Sequence, residues 1–281
     1  MNKKLDFVLT SKHDNRKFIG DIRFKKDGKA KPIILFVHGF KGFKDWGPFN
    51  LVADFFAKND FVFAKINLSH NGTTPESPID FADLEAFGNN NFTIEQDDIG
   101  TAIDFLLSYD EIKDEADMEQ LNLIGHSRGG GMVVLKTAAD ARIRKTATWA
   151  AICDVAAGYK DETVIENWEK DGVIHIWNSR TEQHMPLYFQ IYENYIQNRE
   201  KLSIEKNAKT ITQPVILFHG TEDPTVPYAA AESLHSWIPN ATFVTLEGSG
   251  HTFEAAHPWN SEKLPENLQT VVEKTAAFFK Q

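Results

Sequence analysis

Ser127 stands inside Gly125-His-Ser-Arg-Gly129, His251 closes Gly248-Ser-Gly-His251, and Asp223 lies between them in Gly220-Thr-Glu-Asp-Pro-Thr-Val-Pro227. A serine hydroxyl is a weak nucleophile near neutral pH, so it must be presented clear of its own backbone and within hydrogen-bond reach of a base. Glycines at both ends of a G-x-S-x-G turn leave room for a sharp bend between strand and helix, which aims the Ser127 hydroxyl outward. Gly130-Gly131 then lets the helix pack closely, with its positive N-terminal end at the serine. Ser127 is the expected nucleophile. His251, on a glycine-rich loop late in the chain, is the expected general base; His257, beside Pro258, is less suitably placed. Asp223 is the expected acid that holds the His251 tautomer and stabilises its imidazolium. Glu222, next to it, and Asp154, after the preceding strand, are the alternatives.

Acyl transfer also needs fixed hydrogen-bond donors for the developing oxyanion. By position these are the backbone N–H of Arg128, just after the serine, and that of Phe40, after His38-Gly39. His38 and His126 are taken as candidate substrate contacts, as are Trp177 and Tyr188 further on. Lys41 and Lys44 follow the Phe40 turn; they read as solvated surface charge, with Arg128 and these lysines as candidates to pair with a substrate carboxylate.

Those loops need a scaffold, and the pattern supplies one. Residues 5 to 10 and 17 to 25 read as an antiparallel hairpin around a polar turn. Pro32-Ile-Ile-Leu-Phe-Val37 is apolar on both faces, as in a strand covered on both sides by helices. A helix near 49 to 58, a strand over 61 to 68 and a helix from about 94 to 108 follow, then strand 120 to 124 leading into the serine turn and a helix to about 140. Strands near 146 to 152, 215 to 219 and 242 to 247, with helices near 228 to 237 and 263 to 279, complete an alternating series. It predicts an α/β fold with a mostly parallel, doubly wound sheet flanked by helices. Residues 69 to 92 read as a long loop, either bordering a cleft or crossing the surface. Residues 1–281 read as a single domain, with an inserted, mainly helical cap holding a short hairpin over about 154–212.

The 281 residues, 42% of them hydrophobic, suffice for a large core. A net charge of -10 offers no general attraction to phosphate backbones or anionic lipid, so nucleic acid is not an expected partner. The lone Cys153 precludes an intrachain disulfide and suits a reducing compartment. Neither a signal core nor a membrane-spanning apolar run is present, and a cytoplasmic protein with no membrane association is expected. No H-E-x-x-H or comparable ligand cluster occurs, so neither a metal nor any other cofactor is expected. Oligomeric state leaves no mark in these patterns.

Taken together, His38-Gly39-Phe40, Gly125-His-Ser-Arg-Gly129, the Asp223 turn and Gly248-Ser-Gly-His251 resemble the α/β-hydrolase superfamily, whose triad runs in the order Ser, Asp, His. The His-Gly-Phe turn, Asn67-Leu-Ser-His-Asn-Gly72 and the inserted cap are similar to the dienelactone-hydrolase-like and cinnamoyl or feruloyl esterase branch. Dienelactone hydrolases typically carry cysteine as nucleophile where this chain has Ser127, so the resemblance implies ester hydrolysis rather than that reaction. The expected activity is a serine carboxylesterase acting on small to medium acyl or aryl esters, with cap aromatics Tyr159, Trp168, Trp177, Tyr188, Phe189, Tyr192 and Tyr195 available to wall the site. The alternatives are a peptidase or amidase resembling the prolyl oligopeptidase catalytic domain, and a silent protein that keeps the fold as a ligand cup.

Overall fold

The computed structural model describes residues 2–281. Its elements, in chain order, begin with β1 (Asn2–Thr10), β2 (Lys17–Lys25), β3 (Lys31–Val37), α1 (Phe49–Lys58) and β4 (Val62–Ile66). Next come α2 (Leu84–Gly88), α3 (Phe92–Ser108), β5 (Ala116–His126), α4 (Arg128–Ala139) and β6 (Ile143–Trp149). An excursion follows, with α5 (Glu162–Asp171), β7 (Val173–Asn178), β8 (Gln183–Tyr188), α6 (Gln190–Gln197), α7 (Arg199–Leu202) and α8 (Ile204–Ala208). The chain then returns through β9 (Val215–Gly220), α9 (Ala229–Trp237), β10 (Ala241–Leu246) and α10 (Glu266–Lys280).

The main sheet has eight strands in the order β1-β2-β4-β3-β5-β6-β9-β10. β1 to β2 and β2 to β4 pair antiparallel; every other pair is parallel, as the alternating pattern predicts. β3 shows why a doubly apolar run becomes a central strand. Ile33, Leu35 and Val37 enter one core, while Ile34 and Phe36 enter the other, with α1 and α10. From β3 the chain moves to β4 on one side and later returns to β5 on the other. In open α/β sheets such a reversal leaves a crevice beyond the carboxyl ends of the two strands, and ligands bind there. His38-Gly39-Phe40 and Ser127 follow those two ends.

Two expectations are corrected. The strand expected over 146 to 152 ends at Trp149, because Ala150 takes φ 49° and turns the chain out of the sheet. Residues 69 to 92 are neither a surface excursion nor wholly a loop. Asn67 pins them by donating to Thr73 Oγ1 and to the Pro78 carbonyl, both at 2.9 Å, and Ser69, His70, Asn71 and Thr73 are buried. α2 forms within them because the Asp83 carboxylate caps it, accepting from Ala86 N–H at 2.9 Å.

The excursion is a packed unit. Asp161 caps α5 and Gly172, at φ 74°, ends it. Trp168 is buried beneath the β7–β8 hairpin and donates its indole N–H to the Leu187 carbonyl at 2.9 Å. Among the described residues, no helix is long and apolar enough to cross a membrane.

Candidate active site

Ser127 sits between β5 and α4 at φ 57°, ψ -120°, a region that non-glycine residues avoid and that is held only where surrounding structure over-determines it. That structure is local. Its N–H donates to the Trp149 carbonyl at 2.9 Å, and its carbonyl accepts from Gly130 N–H at 3.0 Å and Ile152 N–H at 3.2 Å. Glycine at 125 is required by the same bend, since a Cβ there would lie 2.2 Å from the Gly129 carbonyl oxygen.

Asp223 follows β9 and His251 lies beyond β10. His251 Nδ1 donates to Asp223 Oδ2 at 2.7 Å, while Asp223 Oδ1 accepts the backbone N–H groups of Thr225 (2.8 Å) and Val226 (2.9 Å). Glu222 is exposed, and Asp154 pairs with Lys160 at 3.6 Å, so of the three acids considered Asp223 is the one that meets His251. Burial works to raise the Asp223 pKa. The bonds from His219, His251 and Val226 N–H outweigh it and hold the carboxyl well below the usual range. His219, which sequence reasoning passed over, is fully buried on β9 with Nε2 3.3 Å from Asp223 Oδ2 and 2.9 Å from the Val226 carbonyl. A histidine inside an apolar strand that runs into the acid's turn was the available signal.

Across the crevice, Gly39 lies so close to the serine that a Cβ would fall 2.8 Å from Ser127 Cβ. The N–H groups of Phe40 and Arg128 have no acceptor among the described residues. His38 accepts the Leu68 N–H on Nε2 at 3.1 Å, so its proton sits on Nδ1 and goes to the Gly39 carbonyl at 2.8 Å. Burial, opposed by that bond and reinforced by Arg128, lowers its pKa to about 4, and the ring stays neutral. His126 Nε2 donates to the His251 carbonyl at 3.0 Å, tying the histidine loop to the residue before the serine. Its burial, with the charge of His251 beside it, lowers its pKa to about 3.

Ser127, Phe40 and Arg128 open on a cleft of about 370 Å³ whose walls include Val155, Tyr159, Trp168, Ile174, Ile176 and Leu187. None of His38, His126, Trp177 and Tyr188, taken from sequence as substrate contacts, lines it. The two histidines hold turns together, Trp177 is half exposed against His184, and the Tyr188 hydroxyl is bound to Glu85 at 2.6 Å. In the hairpin, alternation turns Ile174 and Ile176 to the cleft and Trp177 away from it. Lys44 is not surface charge either. It is buried, with Nζ 2.8 Å from Asp21 and 2.6 Å from Asp45, and so is unavailable to a substrate. Lys41, by contrast, reaches the Trp177 carbonyl at 3.4 Å from the surface.

Solved structures share this whole arrangement of strands and helices. Est1E from Butyrivibrio proteoclasticus with ferulic acid bound superposes with a TM-score of 0.73 at 19% identity, over 97% of this chain and 98% of that one. The esterase domain of a Rhodothermus marinus protein gives 0.64 at 18% identity, over 98% and 97%, and the alpha/beta hydrolase GrgF from Penicillium sp. sh18 gives 0.68 at 12%, over 99% and 98%. The chain has the α/β-hydrolase fold. A family model described as TAP-like protein matches residues 194–261, the part of the chain that carries Asp223 and His251. No curated protein matches the chain. Within this fold, the turn after β5 and the turn after β9 reach the cleft through Ser127, Arg128, Thr225 and Val226, and the loop after β10 is bonded to both turns through His251.

Proposed function

We propose that the protein is a serine carboxylesterase with Ser127 as nucleophile, His251 as general base and Asp223 as its orienting acid. The observation that carries this reading is the 2.7 Å bond between His251 and a buried Asp223 carboxylate, with the His251 loop tied to a strained Ser127 turn. Ser127 Oγ attacks the ester carbonyl as His251 takes its proton; the Phe40 and Arg128 amides receive the oxyanion. The tetrahedral intermediate collapses, the alkoxide leaves with the proton from His251, and Ser127 holds the acyl group. Water, deprotonated by His251, then attacks the acyl-enzyme and releases the acid and the free serine.

The excursion between β6 and β9 serves as the cap, its apolar residues forming the acyl compartment. A volume of about 370 Å³ walled in part by Tyr159 and Trp168 has room for a small to medium acyl or aryl group. The ferulic acid bound by Est1E, a protein of the same fold, supports an aryl acyl group in particular.

Active-site titration with a fluorophosphonate, followed by peptide mapping, tests the assignment. One equivalent is expected on Ser127, and Ser127→Ala is expected to lose both the label and the turnover of p-nitrophenyl esters. A folded wild type that neither labels nor turns over would sink the reading, and faster cleavage of aminoacyl amides than of aryl esters would move it to a peptidase.

A further inference from the structure

We propose that Glu95 is a positioning residue for the oxyanion hole, acting through the Arg128 side chain. The inference rests on the reading above, in which the Phe40 and Arg128 amides hold the oxyanion. Those amides belong to two separate elements, the turn after β3 and the start of α4, and their spacing must be held to a fraction of an ångström for both to bond one oxygen. The side chains of the same two residues supply the link. The Arg128 guanidinium lies 3.9 Å over the Phe40 ring, and Phe87 packs against that ring at 5.4 Å between centroids. Phe40 thus sits between Phe87 and a cation.

What fixes the cation is Glu95 of α3. Its Oε1 accepts from Arg128 Nη1 at 3.3 Å and from Asn90 Nδ2 at 2.8 Å. The Glu95 side chain is 3% exposed and that of Arg128 13%, so water does little to screen the pair. Glu95 does not line the cleft that Ser127 opens on. It touches no reacting atom; its contact with the chemistry is a chain of two steps, carboxylate to guanidinium to Phe40 ring. Placing this carboxylate on α3 locks a third element to the two that carry the donors. Glu95 Oε2 has no partner, although it is buried, as is Asn90 Oδ1. Glutamine at position 95 keeps the shape of the side chain and puts an NH2 in place of the partnerless oxygen, for which the unpaired Asn90 Oδ1 is a candidate acceptor, and it weakens the hold on the guanidinium.

The test is Glu95→Gln in the full chain, with thermal melting, p-nitrophenyl ester kinetics and inhibition by phenyl trifluoromethyl ketone, which adds to the serine to form a tetrahedral oxyanion. Expected is a folded variant with a lowered melting temperature, since a buried ion pair loses its carboxylate, a kcat lower by about 10-fold, short of the loss from deleting a donor outright, and a KM within about 2-fold of wild type. Ketone affinity should fall by the same factor as kcat. A folded variant with wild-type kcat and ketone affinity overturns the proposal, as does a loss confined to KM. If Glu95→Gln fails to fold, Arg128→Lys carries the test, since an ammonium keeps the charge facing Glu95 but cannot stack flat on Phe40. The same split, lower kcat and ketone affinity at constant KM, is expected of it, and a wild-type profile overturns the proposal. A wild type that reacts with neither ketone nor fluorophosphonate overturns the serine-esterase reading and this inference together, whereas a reactive wild type beside an unaffected variant overturns this inference alone.

Discussion

Asp223 accepts from two backbone amides on one oxygen and from His251 on the other, with His219 close by. This asymmetry makes its replacement by asparagine informative. The Oδ1 position must remain a carbonyl to serve Thr225 and Val226 N–H, which puts the amide NH2 at the Oδ2 position, facing His251 Nδ1. An NH2 there donates, so Nδ1 must become the acceptor and the imidazole proton moves to Nε2. In the proposed mechanism, a base with its proton already on the nitrogen that should take one from Ser127 cannot act. Asp223→Asn is accordingly expected to lose about 10⁴ in kcat while keeping its fold, as in other triads where the acid sets the tautomer. Steady-state kinetics with a thermal melt check this, and a loss below about 10-fold would argue that Asp223 does not orient the base.

At the scale of elements, the turns proposed to carry the chemistry were legible as turns because their glycines and short polar residues obey local rules. Gly125 and Gly39 are where a side chain would collide with backbone or with the serine. The cleft walls were legible only in part: Tyr159 and Trp168 were among the aromatics singled out, but the hairpin's share depends on which of its faces the helix α5 covers. Aromatic residue type pointed to Trp177 and Tyr188; position in the hairpin instead selects Ile174, Ile176 and Leu187. Lys44 misled for a similar reason, because its carboxylate partners Asp21 and Asp45 come from a strand distant in sequence and from its neighbour. Trp168 joins both functions of the excursion, as the centre of its packing and as part of the cleft. Trp168→Ala is expected to destabilise the protein by about 3–5 kcal/mol, the usual cost of emptying a large buried aromatic site. It should also raise KM for aryl esters more than it lowers kcat. Denaturant unfolding and ester kinetics read the two effects, and a destabilisation under about 1 kcal/mol would mean the excursion does not depend on this side chain.

For the molecule as a whole, the -10 net charge hides a cluster of buried ions that joins β2, β4 and the segment after the Phe40 turn. Asp21 on β2 meets Lys44 at 2.8 Å, Lys65 at 2.7 Å and Arg23 at 3.3 Å, and Asp45 joins both lysines. Burial alone would raise the Asp21 pKa; Lys65 and Lys44 reverse that and lower it to about 2. Burial also lowers the pKa of Lys65, even with two carboxylates beside it, so the two partners point in opposite directions on how well the pair offsets its own desolvation. The carboxylate decides the behaviour in acid, because protonation removes its charge and with it the attraction to both lysines. With a folded pKa below that of the unfolded chain, Asp21 contributes stability that is complete above about pH 4 and is lost as pH falls toward 2. Removing the charge at neutral pH should do what acid does. Asp21→Asn leaves Lys65 buried with one carboxylate fewer, at a cost of about 3–5 kcal/mol. Because asparagine has no proton to take up there, the variant should also lose part of the wild-type decline in stability between pH 4 and pH 2. Urea unfolding across that range compares the two chains, and parallel curves would show that Asp21 is not the group through which acid loosens β2.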